Sequence, residues 1–238
     1  MNSAEKSTVE EIRERFDKDV DRFSNLETGQ SATMDAPLVL DLITRVATAH
    51  LPGAKHVLDI GCGAGNYTLK LLERISGLSC TLIDLSQPML DRAKQRLSQS
   101  TAEEVITLQR DIREVELPDE TYDVVMAAAV LHHLRDDADW NNVFRKIHQA
   151  MRPGGIFLVS DLVTSDLPAA EEVQRNRYGE YLTDFRDDDY RQAVFDYIEK
   201  EDTPRSVLFQ VDVCRSVGFR QVEVLHLNAC FGAYCAVK

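Results

Sequence analysis

VLDIGCGAGN, residues 57–66, sets an apolar strand, one acid and three closely spaced glycines in ten positions. Val57, Leu58 and Ile60 read as a buried parallel strand, and Gly61, Gly63 and Gly65 allow a turn with unusual dihedrals against which a ligand can meet bare main chain. Asn66–Glu73 has the composition of a helix leaving that turn. Strand, glycine turn and helix are the parts of a nucleotide-binding crevice at the carboxyl end of a parallel sheet. The glycine spacing alone suits a dinucleotide as well, or a tight turn made only for packing. Asp59 inside the strand end, and the lack of a lysine followed by Ser or Thr, exclude a P-loop.

Three further segments repeat the pattern. Leu78–Leu85 is a strand ending in Asp84, 23 residues beyond Gly61, where an acid can accept from both hydroxyls of a ribose. The other use for Asp84 is to cap the helix Pro88–Leu97. Val105–Leu108 is a third strand running into Asp111, and Tyr122–Val130 a fourth whose small terminal residues, Ala128 among them, leave space above the sheet. Helices are expected at Ala36–Ala49, Val143–Met151 and Val207–Val217, a fifth strand at Gly155–Asp161 after the Pro153–Gly154–Gly155 stop, and a hairpin of Gln221–Leu227 with Phe231–Val237. This alternation predicts an α/β fold, an open sheet with helices on both faces.

The motif DIGCGAG resembles the glycine-rich loop of class I S-adenosylmethionine-dependent methyltransferases. The resemblance covers residues 36–163 and 206–238 and implies a Rossmann-like, mostly parallel seven-stranded sheet whose last, antiparallel strand inserts beside the fifth. It implies S-adenosylmethionine as cofactor and S-adenosylhomocysteine as product. Asp59, Gly61, Gly63 and Gly65 would lie at the methionine part, Asp84 at the ribose, and Leu85 and Met89 near the adenine. Asp111 would accept from the adenine amino group, the Ile112 amide would meet the ring, and Ala128 would leave the cofactor room.

The 238 residues suffice for one well-buried domain. Residues 1–35 are expected as a helical cap, because Val9, Ile12, Phe16, Val20 and Phe23 give Ser7–Phe23 one apolar face; a partner helix is the rival reading. Residues 164–205 are expected as a helical insertion anchored where the ligand side of the sheet ends, able to close over a pocket. Tyr178, Tyr181 and Tyr197 are its candidates for substrate contact, although aromatics there also build the insertion's own core, and Arg175, Arg177, Arg186 and Arg191 could meet an anion. Methyl transfer needs an electron-rich acceptor in line with the activated carbon, and a base only where the acceptor enters protonated. His132 and His133, just past the fourth strand, are the candidate bases, with Asp161 at the end of the fifth strand as a partner.

FSNL, LIDLSQPMLDRAKQRL, DIREVELPD and the ending FGAYCAVK also resemble the carboxy-S-adenosylmethionine synthases, which act on the cofactor itself. That family binds the added carboxylate with an arginine in the insertion. Here the comparable stretch, DYIEKEDTPRSV, offers Lys200 and Arg205 without a match, and AAAVLHHL departs from the family's strand-four ending. A methyltransferase for a small-molecule nucleophile is therefore the expected function. A cofactor-binding interaction protein and an NAD-dependent oxidoreductase are the alternatives, separable by ligand preference.

Composition restricts the partners. Lys and Arg total 27 against 40 Asp and Glu, a formal net charge of −13, and residues 161–202 hold 13 acids against 5 bases. Nucleic acid, which rewards clustered cations, is thus an unlikely partner, and a small molecule is the expected one. Cys62, Cys80, Cys214, Cys230 and Cys235 show no C-x-x-C pair, so no metal is expected, and adjacency alone does not place the two histidines on one ion. The odd cysteine count and the lack of a secretory segment suit the cytoplasm. No run approaches the length that spans a membrane. A homodimer through the first helix is compatible with the pattern.

Overall fold

The computed structural model describes residues 6–25 and 31–238. The parts of the expected cap at residues 1–5 and 26–30 lie outside the described residues. The chain runs through α1 (Val9–Lys18), α2 (Val20–Ser24), α3 (Ala36–His50), β1 (His56–Ile60), α4 (Asn66–Leu72), β2 (Ser79–Asp84), α5 (Gln87–Leu97), β3 (Glu104–Gln109) and β4 (Tyr122–Ala128). A 3-10 turn at Leu131–His133 leads to α6 (Asp137–Ala150), β5 (Met151–Leu162), α7 (Pro168–Phe185), α8 (Asp188–Glu201), α9 (Val207–Val217), β6 (Gln221–Asn228) and β7 (Phe231–Val237).

One seven-stranded sheet has the order β3-β2-β1-β4-β5-β7-β6. β1 pairs in parallel with β2 and β4, and β7 enters antiparallel between β5 and β6, as the family resemblance implies. The two-residue period of each strand sends alternate side chains into two cores. Val57, Leu82, Met126 and Leu158 pack under Ile43, Leu71 and Leu90 of α3, α4 and α5. Leu58, Ile60, Val125 and Phe157 pack under Trp140, Phe144 and Val213 of α6 and α9. A third, smaller cluster joins Tyr178, Leu182 and Phe195 of α7 and α8 to Leu162 and Cys230 at the sheet end.

Four boundaries differ from expectation for local reasons. The predicted helix Ser7–Phe23 breaks at Asp19, whose backbone (φ −105°) ends α1 and begins α2. α6 starts at Asp137, six residues early, because the Asp136 carboxylate accepts from the Asp139 amide and caps it. β5 starts at Met151 and absorbs the Pro-Gly-Gly stop as a bulge: Met151 pairs with Tyr122, and the register resumes at Ile156 opposite Val124, with Gly154 at φ +80°. β4 stops at Ala128 because Ala129 turns the chain at φ +52°.

Candidate active site

The carboxyl ends of β1, β2 and β4 meet at the glycine turn. Gly61, Gly63 and Gly65 all have positive φ (+65°, +50° and +81°), which L side chains rarely adopt. A Cβ on Gly61 would meet Val130 Cγ2 at 2.5 Å, and one on Gly65 would meet Leu97 Cδ1 at 2.9 Å, whereas a Cβ on Gly63 would meet nothing within 4 Å. The first and third glycines therefore let backbone pack, and the second leaves the loop open. Arg96 braces the turn by donating to the Ala64 carbonyl at 2.6 Å and to Asn66 Oδ1 at 2.7 Å.

Asp59 lies beneath the loop rather than on its open side. It is buried, and its carboxylate accepts from the Thr68 hydroxyl at 2.6 Å, tying β1 to the first turn of α4. Burial pushes its pKa up to about 7, against the Thr68 hydrogen bond, which lowers it. An acid whose folded pKa is raised is protonated in the native state while the unfolded chain is ionised, so its contribution to stability falls as pH rises from about 4 to about 7. Between pH 5 and 8 the wild type should lose about 2–3 kcal/mol of unfolding free energy relative to Asp59→Asn. Parallel urea titrations showing the same pH slope in both proteins would refute this.

Asp84 ends β2 with its carboxylate held in place. Oδ2 accepts from the Gly63 amide at 2.8 Å and Oδ1 from the Ser86 amide at 2.9 Å, and burial raises its pKa. A carboxylate has about four lone-pair positions, so about two stay available for hydroxyls. The helix-capping role falls to Ser86, whose hydroxyl accepts from the Met89 amide at 3.3 Å. Met89 is fully buried, while half-buried Leu85 lines a cleft of about 520 Å³ with Gln109, Arg110 and Asp111, roofed by Val9 and Arg13 of α1. Asp111 is clamped by Arg113, whose Nη2 donates at 2.5 Å; burial raises its pKa, but the Arg113 hydrogen bonds prevail and the net shift is downward. Lys146 holds the following turn by donating to the Ile112 carbonyl at 2.8 Å, and Ile112 itself is buried. Half-buried Ala128 pairs with Ser160 across β4 and β5.

The predicted approach of a histidine to Asp161 occurs, and the partner is His132. The His132 imidazole Nδ1–H donates to Asp161 Oδ1, its backbone amide donates to Oδ2 at 3.0 Å, and the Leu162 amide donates to Oδ1 at 2.8 Å. His133 turns beside it, with ring centroids 4.4 Å apart. Asp202, at the end of α8, reaches both rings: its Oδ1 lies 3.7 Å from His132 Nε2 and 3.4 Å from His133 Nδ1. Burial lowers the His132 pKa, yet Asp161 and Asp202 overcome it and raise the value to about 9. Burial and the neighbouring His132 charge push His133 well below the ordinary histidine range.

The three candidate tyrosines are engaged with the cap. Tyr178 and Tyr181 donate to the Ala32 and Ser31 carbonyls at 2.8 and 3.0 Å. The Tyr197 hydroxyl accepts from Arg15 Nη2 at 2.7 Å. Arg15 also pairs with Glu201 at 2.9 Å, so α1 is bound to the insertion. Arg175, Arg177, Arg186 and Arg191 are exposed or half-buried, and Arg175 lies over the Phe195 ring at 4.4 Å on the insertion's outer side. Thr68, Arg96, Arg13 and Asp202 are site residues that no sequence motif marked.

Strand order, positive-φ glycine turn and an acid at the end of each of the next two strands together define the architecture of the S-adenosylmethionine-dependent methyltransferases. Residues 57–155 match the family model described as a methyltransferase domain. The chain is 26% identical to the carboxy-S-adenosyl-L-methionine synthase of Vibrio atlanticus over 84% of its own length and 83% of that protein's. It is 30% identical to the 27-O-demethylrifamycin SV methyltransferase of Amycolatopsis mediterranei over 55% of this chain and 47% of that one. At identities of 30% or more, the chain spans about half the length of the first curated relatives it matches. The fold superposes on the Burkholderia thailandensis 1,6-didemethyltoxoflavin-N1-methyltransferase, solved with its acceptor and S-adenosylhomocysteine, with a TM-score of 0.65, 18% identity, and coverage of 99% of this chain and 92% of that one. Among the described residues no helix is long and apolar enough to cross a membrane.

Proposed function

We propose that this protein transfers the methyl group of S-adenosylmethionine to a small-molecule nucleophile. The observation that carries the reading is Asp84, fixed by the Gly63 and Ser86 amides with two acceptor positions left for ribose hydroxyls. Gly61, Gly63 and Gly65 would hold the methionine part over Asp59, which acts from below by fixing β1 to α4. Leu85, Met89, Asp111 and Ile112 would surround the adenine, with Arg113 setting the angle of the Asp111 carboxylate. Ala128 would leave room at the end of β4. S-adenosylmethionine supplies the activated carbon, and the protein supplies position and electrostatics.

His132, His133 and Asp161 stand on the acceptor side, where β4 and β5 end. Asp161 fixes the His132 ring, and one of the two imidazoles would take the proton of an acceptor that enters protonated as an amine, a hydroxyl or an acidic carbon. Tyr178, Tyr181 and Tyr197 would shape the acceptor space through the cap they hold. The formal charge of −13 disfavours nucleic acid as acceptor, and five buried free thiols suit a reducing, cytoplasmic setting.

Calorimetric titration with S-adenosylhomocysteine and, separately, NADH tests the cofactor class. Micromolar or tighter binding of the first, with no measurable heat from the second, is expected; preference for NADH would reject the reading. A second reading, synthesis of a carboxylated cofactor, is favoured by the 26% identity that extends over 84% of the chain to a carboxy-S-adenosyl-L-methionine synthase. The mass of the ligand retained through purification separates the two, since the carboxylated cofactor is heavier by one carboxyl group.

A further inference from the structure

We infer that His132 Nε2, His133 Nδ1 and Asp202 Oδ1 form a binding site for a tetrahedral divalent cation of the zinc class. One donor atom from each of the three residues lies within 4.8 Å of the other two, and Asp202 Oδ1 is 3.7 Å from His132 Nε2 and 3.4 Å from His133 Nδ1. The separations of 3.7 and 3.4 Å from Asp202 Oδ1 to the two ring nitrogens exceed the normal range of a hydrogen bond to nitrogen. His133 Nδ1 and Asp202 Oδ1 are accordingly buried with no hydrogen-bond partner, and the Asp202 side chain is only 2% exposed. Buried polar atoms left in this state are costly, so two of them facing one point call for an occupant.

The spacing selects the geometry. Donors about 2.0–2.1 Å from one tetrahedral ion stand about 3.3–3.4 Å from each other, whereas cis positions around an octahedral ion stand about 2.8–3.0 Å apart. The 3.4 Å from Asp202 Oδ1 to His133 Nδ1 matches the first, and the 3.7 Å to His132 Nε2 is nearer to the first than to the second. His132 is also prepared as a ligand, because its Nδ1–H is committed to Asp161, so the proton that a metal ion displaces is the one on Nε2, on the side of Asp202. Such a carboxylate behind a metal-binding imidazole orients the ring and raises its basicity. Two nitrogens and one carboxylate oxygen leave one tetrahedral position for water or a donor atom of an acceptor.

The surrounding charge permits a dication. Asp161, Asp202 and Glu201 face the cluster as acids, with Arg15, Arg135 and Lys6 as cations, and Lys6 Nζ is engaged with the Asp202 and Glu199 carbonyls. Arg15 is paired with Glu201 and Tyr197, and Arg135 donates to the backbone carbonyls of Glu201 and Ser7, so neither is aimed at the three donors. Phe16 closes the outer side edge-on to His133, with ring centroids 6.3 Å apart. The ion would join the turn after β4 to the end of α8, whether or not the chain transfers methyl groups.

The test uses the untagged full chain stripped with a chelator, in the absence of any cofactor, so that its outcome is independent of the methyl-transfer reading. Titration with Zn(II) should show one equivalent bound and a raised melting temperature, and Co(II) should give the intense visible bands of a tetrahedral N/O site. His133→Gln and Asp202→Asn should each weaken binding at least 100-fold, and Asp161→Asn about 10–100-fold, with unchanged circular dichroism. His50→Gln, a histidine on another face, should bind as the wild type does. Absence of a bound equivalent, a weak octahedral Co(II) spectrum, or a thiolate charge-transfer band would each overturn the site. The Co(II) spectrum of the wild type decides the matter even if a variant fails to fold.

Discussion

Asp84→Ala should weaken S-adenosylhomocysteine binding by at least 100-fold while leaving the fold recognisable by circular dichroism. Two hydrogen bonds from ribose hydroxyls to an ionised acceptor are worth about 1.5–3 kcal/mol each, and both vanish with the carboxylate. The loss is compounded locally, since the Gly63 and Ser86 amides lose their acceptor and the loop loses its tie to β2. Asp84→Asn separates the two effects. An amide oxygen can still accept from one of the backbone groups, so Asn should recover much of the stability but little of the affinity. Calorimetry on both variants gives the result; wild-type affinity in Asp84→Ala would remove the ribose role and, with it, the main support for an adenosyl cofactor.

Gly61→Ala is expected to destabilise the chain by about 2–5 kcal/mol, the sum of about 1–2 for a left-handed alanine and about 1–3 for overpacking. The overlap is with a branched side chain, Val130 Cβ at 2.6 Å and Cγ2 at 2.5 Å, so no rotamer change alone removes it. The companion Val130→Ala removes the Cγ1 and Cγ2 overlaps but keeps Cβ at 2.6 Å, so the double variant should recover part of the overpacking share and none of the backbone share, a coupling that a double-mutant cycle reads directly. Gly63→Ala, which meets nothing within 4 Å, should cost only the backbone share. Urea unfolding of the wild type and the four variants checks the set; additive losses for Gly61 and Val130 would show that the contact does not matter.

The sheet was legible because each parallel strand is a short apolar run closed by a residue with a reason to be there. Asp59, Asp84 and Asp111 each mark a strand end or the turn just beyond it, and Gly61 fixes where the first strand must turn. The boundaries that slipped did so where a single polar or glycine residue acts locally: Asp136 started α6 early, and Gly154 made a bulge where Pro-Gly-Gly reads as a stop. Asp84 could be read as a helix cap because capping needs only an oxygen near the first turn, and Ser86 supplied one.

The acceptor side was far less legible. His132 and Asp161 could be paired because adjacent strands β4 and β5 must end side by side. Asp202 could not, since it arrives from a helix 69 residues after His133 and no period or spacing links them. The cysteines carry no paired spacing, and the adjacency of His132 and His133 does not by itself point both rings at one ion. A 3-10 turn and an acid from α8 bring three donors together that the linear order keeps apart. The tyrosines of the insertion were similarly opaque: aromatic content announces a small core, but not that two of its hydroxyls hold the backbone at Ser31 and Ala32.

The placing of α1 carries one further consequence. Its Arg13 and Val9 roof the cleft beside Leu85 and Asp111, its Phe16 covers His133, and its Arg15 grips Glu201 and Tyr197. Ten residues thus form a single shutter across two windows. On the proposed reading those windows are the adenine side and the histidine side, so a single helix borders the places of both ligands.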